Sequence, residues 1–151
     1  MRIAAVVLVL GCAACASDAA GDLPAGWEAA ERVEGLMQAP CGGSALRDDL
    51  PETLGVSAGE GAAAVRYDHA HFRCVQDVEA YVKRANRALD VLVQPIDMHP
   101  DAVAGCDCLY DISMSVPAPR GDYTLTLYRR WDSVNTPNEP VKIGDEEVSI
   151  R

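Results

Sequence analysis

The feature that most restricts the fold of this chain is strict alternation over residues 106–116, CDCLYDISMSV. Asp or Ser fills most of one set of alternate positions, and the other set contains Cys106, Cys108, Tyr110, Ile112, Met114 and Val116. A period of two places successive side chains on opposite faces of a β-strand. The pattern therefore predicts a half-buried strand whose two cysteines face the interior.

Several other segments show the same period and predict further strands. Two of them are residues 63–74 and 88–94, and a third follows the loop PAPRG, with Tyr123, Leu125 and Leu127 facing the core. Residues 140–150 predict a hairpin in which Gly144-Asp145 is a two-residue turn. Strands separated by Gly- and Pro-containing turns at this spacing indicate an all-β sandwich or barrel.

For two segments, the sequence does not decide between a helix and a strand. Residues 75–89 place Val75, Val78, Val82 and Leu89 near one helical stripe, with Asp77 as an N-cap, and taken alone this favours a helix. The same residues also fit a strand over 78–83 followed by a turn around Asn86. Residues 26–38, GWEAAERVEGLMQ, are alanine-rich and equally ambiguous.

The amino terminus, MRIAAVVLVLGCAACA, indicates export from the cytoplasm. Arg2 precedes an uninterrupted apolar run over residues 3–11, which is far shorter than the ~20 residues that span a bilayer as a helix. A short apolar run behind a positive charge is typical of a signal peptide. An ordinary secretory signal cut near Ala14 or Ala16 is the alternative to a lipoprotein signal.

The four residues Val9-Leu10-Gly11-Cys12 resemble a bacterial lipobox, in which the cysteine is acylated. Cys15 is a rival acylation site, but it lacks the aliphatic residue that leads the motif. Acylation at Cys12 would hold the protein on a membrane through its buried hydrocarbon. The predicted organisation is a lipoprotein signal peptide over 1–11, a flexible tether over 12–26 and one β-sandwich domain over 27–151.

The charge of the chain excludes one class of partner. Lys and Arg number 13 against 23 Asp and Glu, giving a formal net charge of −10. Nucleic-acid affinity depends mainly on cations that neutralise phosphates. We therefore expect no nucleic-acid partner, and the partners that remain are the membrane, through the lipid, and a protein or other component of the cell envelope.

The cysteines of the domain are Cys41, Cys74, Cys106 and Cys108, and export makes disulfides their expected state. Two cysteines on one strand face, two residues apart, bond to each other only with strain, so each should have its own partner. Two connectivities remain open, and our choice is Cys74 with Cys108 and Cys41 with Cys106. Asp107 and Asp111 disfavour the thiolate that redox catalysis needs.

The order of four motifs, HAHFRC, DVLVQPIDM, CDCLYDI and GDYTLTLYRRWD, resembles that of small bacterial lipoproteins and secreted proteins for which no activity is established. The resemblance implies an immunoglobulin-like antiparallel β-sandwich of about seven strands, with Gly121-Asp122-Tyr123-Thr124 similar to a tyrosine corner. It also implies a strand over 78–84. Ala13, where inner-membrane lipoproteins commonly carry Asp, implies an outer-membrane lipoprotein facing the periplasm or the cell surface.

No residue pattern supports catalysis. The sequence lacks GxSxG, HExxH and phosphate-loop motifs, so we expect no enzymatic activity and no cofactor. His69, His71 and His99 are candidate ligands of a metal such as zinc or copper, since imidazole suits both. The alternative is that these histidines are merely solvated on an exposed sheet face.

The segment YRRWDSVNTPNEP, residues 128–140, is the candidate partner-binding surface. Tyr128, Arg129, Arg130 and Trp131 are of the residue types enriched in interface hot spots, and Asp132 completes the candidate set. Burying an unpaired guanidinium is costly, so the strand should leave the sandwich near Tyr128 and continue as a loop. The alternative is that Trp131 caps the core while both arginines pair with carboxylates.

Two functions follow as expectations. The first is a lipid-anchored extracytoplasmic binding or structural module without catalytic activity. The second is a periplasmic metal-binding protein that uses a surface His-x-His site.

Overall fold

The computed structural model of the chain describes residues 23–41, 50–96, 106–131 and 139–151. The predicted signal peptide, the acylation site Cys12, most of the tether, His99 and Asp132 lie outside these residues. Within the described ranges, no helix has the length and apolar character needed to cross a membrane.

The described residues form nine strands in two sheets that pack face to face. The strands are β1 (Glu31–Arg32), β2 (Met37–Gln38), β3 (Thr53–Ala58), β4 (Ala62–Arg73), β5 (Val78–Ala85), β6 (Ala88–Pro95), β7 (Asp107–Pro117), β8 (Gly121–Arg129) and β9 (Val141–Ile150). One sheet has the order β1-β5-β6-β8-β9 and the other β2-β7-β4-β3. The predicted all-β, two-sheet architecture is confirmed.

The core lies between the sheets and follows the predicted alternation. In β7, Cys108, Ile112, Met114 and Val116 are buried, and in β8 Leu125 and Leu127 are fully buried. Cys106 differs from the prediction, because it precedes the first residue of β7 and is exposed. Only one cysteine of the pair therefore faces the core.

Residues 75–89 form a hairpin, not a helix. β5 pairs with β6 up to Ala85 opposite Ala88, which leaves Asn86 and Arg87 as the turn. Asn86 has a φ of 54°, and asparagine tolerates this left-handed conformation well in two-residue hairpin turns. Both faces of β5 are buried over residues 78–82, which is why its apolar pattern did not show a clear period of two.

One strand pair corrects the expected immunoglobulin-like arrangement, which is antiparallel throughout. β6 and β8 run parallel, with Ala88 opposite Thr124 and Val93 opposite Arg129. The cause is the path of the chain, because β7 belongs to the other sheet. The chain reverses once into β7 and once more into β8, so that β8 returns beside β6 in the same direction.

The predicted hairpin turn at Gly144-Asp145 is wrong. β9 is continuous from Val141 to Ile150, and its register against β8 shifts by one residue, so that Ile143 is a bulge. A Cβ on Gly144 would lie 3.5 Å from Cβ of Leu54 in β3. This distance is an ordinary van der Waals contact, so residue 144 lies within β9 beside the edge strand β3 and does not form a turn.

The two ends of the sandwich differ. The turn end carries the connections 59–61, 86–87 and 118–120, and backbone hydrogen bonds join Gly61, Ala118 and Arg151 there. The opposite end, called the disulfide end below, comprises residues 38–41, 73–78, 95–96, 106–108, 129–131 and 139–141. Of the residues that flank the three undescribed internal segments, all but Leu50 belong to this end, where β4, β6 and β8 finish and β5, β7 and β9 begin.

Candidate functional site

Two disulfides fix the backbone of the disulfide end. Cys41 bonds Cys108 with Cα atoms 5.8 Å apart, and Cys74 bonds Cys106 with Cα atoms 5.6 Å apart. The prediction of separate partners for Cys106 and Cys108 is confirmed, whereas the chosen connectivity is wrong. Two disulfides indicate an oxidising, extracytoplasmic location.

Strand register explains the pairing. Phe72 lies opposite Cys108 in the β4–β7 pair, so the antiparallel register brings Cys74 opposite Cys106, whose carbonyl accepts a hydrogen bond from the Cys74 amide at 3.0 Å. On the other side of β7, Gln38 of β2 pairs with Ile112, which directs Cys41 towards Cys108. Because β2 has only two residues, no sequence pattern predicted this neighbour.

Exposed apolar side chains concentrate towards the disulfide end. Among the described residues, the large hydrophobic side chains that are exposed are Met37, Val75, Ile96 and Val141. Val75 is 93% exposed and Met37 is 67% exposed. Ile96 directly follows β6, and Val141 begins β9 opposite Arg129. Isolated exposed apolar residues are ordinary, but several at one end of a domain mark a surface that contacts a partner.

Val75 is strained as well as exposed. It occupies the turn between β4 and β5 with a φ of 57°, a conformation that β-branched residues rarely adopt. Backbone strain of this kind costs about 1–3 kcal/mol and persists only where the surrounding structure imposes it. The adjacent Cys74 disulfide and the Gln76 amide, which donates to the Arg73 carbonyl at 3.3 Å, impose it here.

Two clefts flank the segment 37–40. One has a volume of about 410 Å³ and is lined by Gln38, Ala39, Pro40, Cys41, Val75, Gln76, Asp77 and Tyr110. The other has a volume of about 430 Å³ and is lined by Met37, Gln38, Ala39, Arg66, Asp68, Asp111, Ile112 and Ser113. Segment 37–40 is thus a ridge between two clefts, and we call it the 37–40 ridge.

The side chain of Gln38 fixes this ridge to the neighbouring turn. Its Nε2 donates to the carbonyl of Gln76 at 2.8 Å, and its Oε1 accepts from the amide of Val78 at 3.1 Å. Ala39 also donates its amide to the Asp111 carbonyl at 2.9 Å. The ridge therefore has a defined position relative to Val75 and Asp111 without any partner.

A partly buried polar cluster joins the two sheets beside the disulfide end. Glu52 Oε1 accepts hydrogen bonds from the Tyr67 hydroxyl, from the His71 amide at 3.0 Å and from Arg129 Nη1 at 3.0 Å. Arg129 Nη1 also donates to the His71 carbonyl at 3.3 Å. Burial and the nearby Glu52 carboxylate raise the pKa of Tyr67 far above its usual value. No sequence pattern pointed to Glu52, since a single glutamate before a strand has no distinctive pattern.

The predicted partner-binding residues do not form one exposed patch. Arg129 bonds Glu52 and lies over the ring of Trp131, 4.6 Å from its centroid. Trp131 in turn stacks on Phe72 at a centroid distance of 6.3 Å. Arg129 and Trp131 thus lie together at the disulfide end. β8 ends at Arg129, one residue after the predicted departure of the strand near Tyr128.

Tyr128 and Arg130 point elsewhere. Tyr128 makes an edge-to-face contact with Trp27 at 5.6 Å. Arg130 is only 6% exposed and donates to Gln94 Oε1 at 3.3 Å, and Gln94 donates to Glu79 at 3.2 Å. Both side chains therefore pack against the outer side of the five-stranded sheet within the domain.

The structure does not bring the histidines together as ligands. A bulge between Tyr67 and Ala70 interrupts the alternation that was expected to align His69 with His71, and His69 has a φ of 58°. His69 Nδ1 lies 3.2 Å from the Pro51 carbonyl oxygen, and His71 Nε2 is buried without a hydrogen-bond partner. In the part of the chain that the structure describes, no group of three or more His, Cys, Asp or Glu side chains is placed to hold a metal ion.

No family model, curated protein or solved structure matches this chain. The all-β, two-sheet domain that the lipoprotein resemblance implied is present, as are the two disulfides expected from export, but no family is identified.

Proposed function

We propose that this protein is an extracytoplasmic, lipid-anchored binding module that engages a partner in the cell envelope through its disulfide end and has no catalytic activity. The observation that carries the proposal is the exposure of Met37 and Val75 on a backbone that disulfides hold in place, with Val75 in a strained conformation. A side chain kept exposed at an energetic cost is best explained by contact with another molecule.

The organisation of the sandwich supports the same surface. Binding residues commonly lie on connections that a rigid β scaffold positions. Here the short, mutually hydrogen-bonded turns occupy one end and the disulfides occupy the other. A surface that is already ordered before binding loses less conformational entropy when a partner docks. Of the residues predicted for this role, Trp131 belongs to the proposed surface, whereas Tyr128 and Arg130 do not.

The localisation part of the proposal depends on the amino-terminal sequence and on the disulfides. The lipobox-like Val9-Leu10-Gly11-Cys12 supports acylation, and Ala13 supports an outer-membrane destination. Metal binding through His69, His71 and His99 has no comparable support from the described residues.

Photo-crosslinking in cells tests the binding surface. A photoreactive amino acid replaces Val75 in one variant and Arg120, exposed at the turn end, in a control variant. We expect a discrete crosslinked product from position 75 and none from position 120. Absence of a product at 75, or the same products at both positions, would contradict the proposal.

A further inference from the structure

The charges around the 37–40 ridge indicate the kind of partner that fits the proposed surface. Among the residues that the structure describes, Asp77 is the one charged residue that lines the cleft on one side of the ridge. On the other side, the described charged residues are Arg66, Asp68 and Asp111. No described lysine lines either cleft, so aspartate predominates among the described lining residues on both sides.

Arg66, the one arginine among the described lining residues, does not neutralise the charge of Asp111. Arg66 Nη2 contacts both carboxylate oxygens of Asp68, at 3.1 and 2.9 Å, so these two side chains neutralise each other. Asp111 is exposed, and its Oδ1 accepts a hydrogen bond from the His69 amide at 3.2 Å. Each cleft therefore presents one carboxylate, Asp77 or Asp111, that no cation among its described lining residues neutralises.

Apolar side chains accompany these carboxylates. Val75 lines the cleft that contains Asp77, and Met37 lines the cleft that contains Asp111. Each cleft thus combines one exposed apolar side chain with one carboxylate. A ligand complementary to this arrangement carries apolar and cationic side chains in close succession.

We infer that the partner presents a segment that is both cationic and apolar, and that this segment crosses the 37–40 ridge. Its apolar side chains contact Met37 and Val75, and its lysines or arginines contact Asp77 and Asp111. This inference rests on the proposed function, because it specifies the partner of the same surface. The acidic net charge of −10 adds a long-range attraction for such a segment.

A peptide series tests the inference directly. The probe is a short peptide that alternates lysine and valine, and the comparison peptides carry glutamate or serine in place of lysine. Affinity is measured by fluorescence anisotropy with the disulfide-bonded protein at low and physiological ionic strength. We expect the lysine peptide to bind more tightly than both others and its affinity to fall as salt rises.

Matched variants locate the binding site. Asp77→Asn with Asp111→Asn removes one charge from each cleft, whereas Glu60→Gln with Glu147→Gln removes two charges at or near the turn end. We expect the first pair to weaken binding at least about fivefold and the second pair to change it less than about twofold. Val75→Ser, which keeps all charges, should also weaken binding.

Three results would overturn the inference: no binding of the lysine peptide, equal binding of the lysine and glutamate peptides, or equal effects of the two pairs of charge variants. The crosslinking experiment separates these failures from failure of the proposed function. A discrete product at position 75 with no preference for the lysine peptide would leave the binding surface standing and reject a cationic partner segment.

Discussion

At the scale of single residues, Val75 suits the proposed binding function but lowers the stability of the fold. Its side chain is 93% exposed, so it contributes almost no buried apolar surface to folding. Its φ of 57° carries a steric cost that glycine would not have. A residue selected only for stability at this position would be glycine or asparagine.

We therefore predict that Val75→Gly stabilises the domain by about 0.5–1 kcal/mol, because relief of strain exceeds the added chain entropy of glycine. Urea unfolding of the disulfide-bonded protein measures the change. Val141→Gly is the matched control, since Val141 is also exposed but lies in a regular strand, and this variant should be destabilised. A loss of stability in Val75→Gly would show that the valine side chain supports the fold.

Tyr67 gives a prediction for alkaline pH. Its pKa is raised in the folded protein by burial and by the Glu52 carboxylate, whereas an unfolded tyrosine ionises near pH 10. Above that pH the unfolded chain loses the proton and the folded chain keeps it, so stability is complete below pH 10 and falls as the pH rises further.

The chain has five tyrosines, and absorbance titration distinguishes the ionisation of Tyr67 from that of the others. We expect the Tyr67 phenol to ionise only when the protein unfolds. In Tyr67→Phe this delayed ionisation should be absent. Ionisation of all the tyrosines before unfolding would contradict the buried Tyr67–Glu52 contact.

At the scale of elements, the sequence patterns predicted strands well where one face is buried and the other is solvated. β7 and β8 are such strands, and their predicted core residues are buried except for Cys106, which is exposed, and Tyr123, which is half-buried. β5 was ambiguous because Glu79 and Tyr81 are buried on its second face, which removes the alternation. Gly144 was assigned to a turn, although its role in contacting Leu54 depends on a neighbouring sheet that no local pattern reveals.

The candidate site was less predictable, because its parts come from distant segments. The His69 bulge, the two-residue strand β2 and the acceptor role of Glu52 each depend on tertiary contacts. The predicted loop rested on the cost of burying an unpaired arginine. Arg129 instead remains in β8, because Glu52 supplies the compensating charge from the other sheet.

The Glu52–Arg129 pair thus connects an arginine of the five-stranded sheet to the segment that leads into β3 of the other sheet. Removal of one partner leaves a largely buried charge uncompensated, so we expect Arg129→Met and Glu52→Leu each to destabilise the domain by about 2–3 kcal/mol. The double variant should lose clearly less than the sum of the two, because neither charge remains. Urea unfolding of all four proteins forms a double-mutant cycle, and additive losses would show that the pair is not coupled.

At the scale of the whole molecule, the disulfides cross-link distant parts of one chain. The residues of the Cys74–Cys106 bond are separated by 32 positions and those of the Cys41–Cys108 bond by 67. In the chain-entropy model each bond stabilises the fold by about 4 kcal/mol. We expect Cys41→Ala with Cys108→Ala to cost more than Cys74→Ala with Cys106→Ala, since Cys108 is fully buried and Cys106 is exposed.

Urea unfolding of the two paired variants measures both losses, and peptide mapping of the unreduced wild-type protein checks the pairing. A loss below about 1 kcal/mol for either pair would mean that the bond does not constrain the unfolded chain. Peptides that link Cys74 to Cys108 would contradict the strand register described above.

The path of the chain also determines the side of the domain from which a lipid anchor would be tethered. The carbonyl of Gly26 lies 3.5 Å from Lys83 Nζ, close to the β5–β6 turn, and the chain then runs through β1 and β2 towards Cys41 at the disulfide end. A tether that ends near Gly26 is therefore attached to the half of the sandwich that is nearer to the turn end. An acylated Cys12 would therefore leave the disulfide end free to face away from the membrane.

Because the anchor and the folded domain are separate parts of the chain, we predict that Cys12→Ser abolishes acylation while both disulfides and the unfolding transition of the purified protein remain unchanged. Membrane fractionation and mass spectrometry of the amino-terminal peptide measure acylation, and thermal unfolding measures the fold. Cys15→Ser is the matched control and should stay membrane-bound, since the aliphatic lead of the lipobox precedes Cys12 and not Cys15. If the Cys12→Ser protein still partitions with lipoproteins into detergent, Cys12 is not the anchor, and the orientation that places the disulfide end outward loses its basis.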